Sequence, residues 1–160
     1  LAGRRPNIVF VMTDDQGMGD MGWTGHPHIK TPNLDTLRKQ SLWFSDFQTS
    51  PTCAPTRGAL MTGRHEFYSG ITHTIFERER MSLKAFTLPQ ALKSAGYATG
   101  IFGKWHLGDE DPYQPARRGF EHGDLLSHAL FAQRERCCKA DRAAAYDEYL
   151  HRAALPMSNR

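Results

Sequence analysis

At 160 residues the chain has room for one domain with an ordinary core, and 39% hydrophobic with 23% charged residues lies in the globular range. The net charge of +3 is small and the basic residues are scattered, which argues against a nucleic-acid partner. No apolar run approaches membrane-spanning length, and Cys53, Cys137 and Cys138 do not make a disulfide framework, since adjacent cysteines cannot easily reach normal disulfide geometry.

In chain order, residues 7–12 (Asn-Ile-Val-Phe-Val-Met) form a continuous apolar run that predicts a fully buried strand. The run ends in the polar loop Thr13-Asp14-Asp15-Gln16-Gly17. Thr31-Pro32 predicts a helix start, with Thr31 as the cap and Leu34, Leu37 and Leu42 as an apolar stripe. Residues 42–47 alternate as a second strand would, and residues 51–55 read as a loop. Residues 57–62 resemble a helix beginning just after Cys53. Thr87-Leu88-Pro89-Gln90 opens a further helix that ends at Gly96, with Lys93 in its last turn. Residues 97–102 follow as a short strand that runs into Gly103-Lys104-Trp105-His106-Leu107-Gly108. Strands alternating with helices predict an α/β fold with a largely parallel sheet. Ligands of such sheets collect beyond the carboxyl ends of the strands, where Asp14-Asp15 and Lys104-His106 both fall.

Four places in the chain offer chemistry. Two adjacent carboxylates repel unless positive charge sits beside them, so Asp14 and Asp15 at a strand end suit a hard cation, calcium or magnesium. A turn or helix cap is the plainer alternative. Cys53 lies among Ser, Pro, Thr and Ala, a turn leading into a helix rather than the apolar run that surrounds a core cysteine. Arg57 follows it by four residues, so a helix starting at the cysteine would bring the guanidinium back beside position 53. The positive end of that helix would add its own attraction for an anion. Lys104 and His106, two apart, would both face one cleft, lysine as a point charge and histidine as a proton acceptor. Each of these cations is otherwise an ordinary surface residue. His26, His28, His65 and His73 lack a matching ligand set and read as structural or solvated. Trp23 and Trp43 read as core or rim packing.

Cys53-Ala54-Pro55-Thr56-Arg57, with Asp14-Asp15 upstream and Gly103 to Gly108 downstream, resembles the amino-terminal part of a type I sulfatase of the arylsulfatase kind. The resemblance runs from about Arg5 to about Phe120. It implies an alkaline-phosphatase-like α/β fold, present here in part, and a sulfate ester as substrate. It also implies that a formylglycine-generating or sulfatase-maturating enzyme oxidises Cys53 to formylglycine. The aldehyde hydrates to a gem-diol; one hydroxyl attacks sulfur, and the other later expels sulfate as the aldehyde reforms. By the same resemblance Asp14, Asp15 and the modified Cys53 bind calcium, with magnesium as the alternative ion. Arg57 supports the formylglycine, Lys104 contacts sulfate or the diol, and His106 helps remove a proton.

Family members are several times longer and draw further site residues, an Asp-Asn pair, a histidine and a lysine, from later sequence. The expected organisation is therefore residues 1–120 as the amino-terminal part of a sulfatase catalytic domain and 121–160 as an unrelated or wrong-frame tail. A helix over residues 141–155 is conceivable in that tail. Such a chain is expected to fold poorly and show little sulfatase activity alone. The competing functions are hydrolysis of phosphonate or phosphate monoesters, and a non-catalytic remnant or binding module. A signal peptide ahead of Leu1 would direct the protein to the periplasm or outside the cell; otherwise it is cytoplasmic.

Overall fold

The computed structural model describes residues 5–75 and 77–124. The chain divides into two compact units, one drawn from Leu1–Phe44 and the other from Ser45–Arg136.

In the first unit, residues 7–12 are not the buried strand their apolar run predicts. Residues 7–10 are exposed, Ile8 at 59% and Val9 at 66%, Val11 and Met12 are half-buried, and the run pairs with no strand among the described residues. A buried parallel strand takes its backbone bonds from neighbours on both sides, and no described strand supplies them. A 3-10 turn, Gly22–Thr24, precedes helix α1, Pro32–Gln40. Pro32 opens α1 as expected, but Thr31 makes no side-chain capping bond. Its fully buried hydroxyl instead accepts from the Gly22 amide at 2.9 Å and donates to Asp35 Oδ1 at 2.7 Å, which joins the turn to the helix. The leucine stripe of α1 is not buried: Leu37 and Leu42 are exposed. The guanidinium of Arg38 lies 5.8 Å from the Trp23 ring and 5.0 Å from the Trp43 ring, while the two indoles meet edge to face. His26 is structural, its Nδ1 accepting from the amides of His28 and Ile29.

Residues 42–47, which run from the end of the first unit into the second, alternate without forming the expected strand, and Leu42, Phe44 and Phe47 are exposed. Helix α2, Cys53–Thr62, starts at the cysteine itself and ends at Gly63 in the left-handed conformation. A 3-10 turn, Glu66–Ser69, follows, capped by the His65 imidazole. Helix α3, Leu88–Ser94, carries a complete capping box in which Thr87 and Gln90 satisfy each other's amides. Strand β1, Gly100–Phe102, is shorter than residues 97–102 predict, and it pairs in parallel with β2, His122–Asp124, in the register Gly100 to His122. The core consists of Ala54, Ile71, Met81, Trp105 and Leu107, with Met61, Ala85, Ile101 and Phe120 packed against it. It lies directly behind the first turn of α2 and the loop after β1.

Arg118 fastens this unit from inside. It is 4% exposed, and its guanidinium donates to the carbonyls of Ser82, Leu83 and Ala85. Its own carbonyl accepts from the buried Thr87 hydroxyl at 2.7 Å. The Glu121 amide bonds the Thr99 carbonyl, and its carboxylate pairs with Lys93. Of the tail expected over 121–160, residues 125 onward, with Cys137, Cys138 and the helix over 141–155, lie outside the described residues. Among the described residues no helix is long and apolar enough to cross a membrane.

Candidate active site

Asp14 and Asp15 belong to the first unit. Asp14, just after the apolar run, is buried, 8% exposed, while Asp15 turns into the left-handed region at φ 54° and is exposed. Aspartate tolerates that conformation better than most residues. An ionised carboxylate at the depth of Asp14 requires compensating charge or donors. Two carboxylates on consecutive residues, one of them buried, are an oxygen donor set that suits calcium or magnesium.

The remaining predicted site residues fall in the second unit, on two neighbouring segments. Cys53 is the first residue of α2, half-buried and not disulfide-bonded. At that position it sits on the positive end of the helix dipole, and the N-cap residue Thr52 makes no side-chain capping bond. Thr56 holds the approach to the helix, its hydroxyl donating to the carbonyls of Ser50 and Thr52. Arg57, one turn on, donates from Nη1 to the Lys104 carbonyl at 2.7 Å. The cysteine motif and the loop after β1 are thereby tied together by a charge-assisted bond across 47 positions of sequence.

That loop owes its shape to two glycines and a tryptophan. Gly108 lies at φ 109°, where a Cβ would come within 2.5 Å of Tyr113 Cβ. Trp105 is buried, donates from its indole to the Tyr113 carbonyl at 3.0 Å, and packs edge to face on Phe120. With Trp105 and Leu107 both turned into the core, Lys104 and His106 are left on the other side, each half-buried. His106 takes φ 61°, and its Nε2 lies 2.9 Å from the Thr74 carbonyl and 3.4 Å from the Thr74 hydroxyl.

Thr74 and Gly58 escaped the reading of the sequence. Thr74 acts through a main-chain carbonyl, which any residue carries, so its type holds no signal. Gly58 lets the buried Ile71 approach α2; a Cβ there would lie 2.1 Å from Ile71 Cδ1. A glycine inside a helical pattern was the available sign of such close packing.

The sulfatase family profile matches residues 6–148. The chain is 40% identical over 133 residues to arylsulfatase G of Canis lupus familiaris, covering 80% of this chain and 25% of that protein. To arylsulfatase J of Mus musculus it is 34% identical over 151 residues, 91% of this chain and 25% of the relative. The fold superposes on the PsFucS1 sulfatase from Pseudoalteromonas sp. with a TM-score of 0.68 at 27% identity, covering 92% of this chain and 32% of that one. The chain thus spans about a quarter of the length of the curated relatives it matches. It belongs to the sulfatase family and carries part of that family's alkaline-phosphatase-like α/β fold.

Proposed function

We propose that the chain carries the nucleophile-bearing part of a sulfuric ester hydrolase of the arylsulfatase kind. The observation that supports this most is the bond from Arg57 to the Lys104 carbonyl, which unites the cysteine motif and the Gly103 to Gly108 loop in one unit. In this reading a maturating enzyme oxidises Cys53 to formylglycine, whose hydrate supplies an oxygen nucleophile for sulfur and a second hydroxyl for sulfate release. The first turn of α2 holds position 53 and favours an anion there. Arg57 and Lys104 provide the cationic donors for sulfate oxygens or for the diol. His106 accepts a proton. Asp14 and Asp15 would hold calcium, or magnesium in its place, and that cation would offset negative charge on the sulfate oxygens.

The test is to produce the chain together with a sulfatase-maturating enzyme and weigh the tryptic peptide spanning residues 40–57. Formylglycine at position 53 is expected. Unmodified cysteine, beside a control sulfatase that the same cells do modify, would overturn the reading.

A further inference from the structure

The contact between His106 and Thr74 decides which ring nitrogen of His106 handles protons. A carbonyl oxygen only accepts, so an Nε2 at 2.9 Å from the Thr74 carbonyl must carry the hydrogen. With a bare lone pair there, two acceptors would face each other at hydrogen-bond distance. In the neutral ring the hydrogen on Nε2 leaves the lone pair on Nδ1.

The segment that carries Thr74 is tied both to itself and to the chain that follows His106. The amides of Thr72 and His73 bond to the Arg78 carbonyl at 3.0 and 3.5 Å, which fixes the chain just before Thr74. Further along, the Met81 amide bonds the Leu107 carbonyl at 3.2 Å, next to His106. Arg80 then bridges the two segments. It pairs with Glu77 at 2.8 Å, donates from Nε to Glu110 at 3.0 Å, pairs with the same carboxylate through Nη2, and stacks on Tyr113. The carbonyl that meets His106 is therefore part of a frame anchored on both sides of the histidine.

We propose that Thr74 is a positioning residue for His106: its main-chain carbonyl holds Nε2–H, so that Nδ1 is the nitrogen that takes the proton, and Arg80 keeps the carbonyl in place. The proton-transfer role of His106 rests on the sulfatase reading; its tautomer does not. The experiment is therefore spectroscopic. The 160-residue chain, labelled with 15N-histidine, is recorded well above the ordinary imidazole pKa of about 6.5, and the His106 signals are assigned by their loss in His106→Gln. A pyrrole-type Nε2 and a pyridine-type Nδ1 are expected. The reverse pattern, or the averaged shifts of a freely exchanging ring, would overturn the proposal.

In Arg80→Ala the His106 nitrogens are expected to move toward averaged shifts, with Arg80→Lys falling between that variant and the parent. The Trp105 indole resonance, which depends on the bond to Tyr113, reports in the same samples that the loop is folded. Unchanged His106 shifts in Arg80→Ala would remove Arg80 from the device. None of these readouts depends on formylglycine, so they fail or succeed separately from the mass measurement.

Discussion

Gly58 is where the packing behind α2 can be tested most sharply. It follows Arg57 in α2, and a Cβ added there would lie 2.1 Å from Cδ1 of the fully buried Ile71. Gly58→Ala gains up to about 1 kcal/mol of helix propensity and loses about 1–3 kcal/mol to overpacking. The expected net effect is a destabilisation of about 0–2 kcal/mol. That range decides little by itself, so the background must carry the test. Ile71→Val deletes Cδ1 at its own cost of about 0.5–1.5 kcal/mol. The next atoms a Cβ would meet, Ile71 Cγ1 at 3.4 Å and Ser69 Oγ at 3.6 Å, are then in ordinary contact. In the I71V background alanine should instead stabilise, by up to about 1 kcal/mol. The coupling between the two substitutions is therefore about 1–3 kcal/mol, and the sign of the alanine effect reverses. Urea denaturation of the four chains, followed by tryptophan fluorescence, measures it. An equal alanine effect in both backgrounds would refute the claim that the terminal methyl of Ile71 demands a glycine.

Acid should reveal Glu66, whose carboxyl is held below its usual pKa first by the Ser50 hydroxyl at 2.7 Å, then by a backbone bond of its own residue, against an opposing push from burial; His65 adds a smaller lowering. A carboxyl lowered in the folded state adds stability above its unfolded pKa of about 4.3, and that stability is lost as pH falls through the folded value. Urea midpoints of Glu66→Gln and the parent are thus expected to differ by a constant amount above about pH 5 and to converge below it; a gap that does not narrow in acid would contradict this. Arg118 gives a structural counterpart. Burial lowers its pKa from the ordinary arginine value, and its guanidinium serves three carbonyls. Arg118→Ala should cost on the order of 3 kcal/mol or more, and Arg118→Lys should restore only part, because a point donor cannot serve a fork's partners. Thermal melts of the three chains decide it, and full rescue by lysine would show that charge rather than fork geometry matters.

What was legible in the sequence was what neighbouring residues determine among themselves. Thr87 to Gln90 closes its capping box within one turn, and Cys53 to Arg57 spans one turn of α2, so both could be read from spacing. The glycines of the Gly103 to Gly108 loop announced a shaped loop for the same reason. Residues 7–12 and 42–47 show the opposite case. Their apolar patterns predict strands, yet a strand exists only through bonds to another strand, and no described residue supplies the partner. Thr31 departs more subtly: its type suits a cap, but Gly22 and Asp35 offer its buried hydroxyl better partners. The contacts that matter most for chemistry lie beyond any local rule. Arg57 finds the Lys104 carbonyl and His106 finds the Thr74 carbonyl, and in each case the acceptor is main chain and bears no residue-type signature. A motif therefore names which side chains are candidates for the chemistry. The orientation of those side chains is set by backbone atoms that the motif does not contain, which is why the tautomer of His106 could be inferred only once the fold was known.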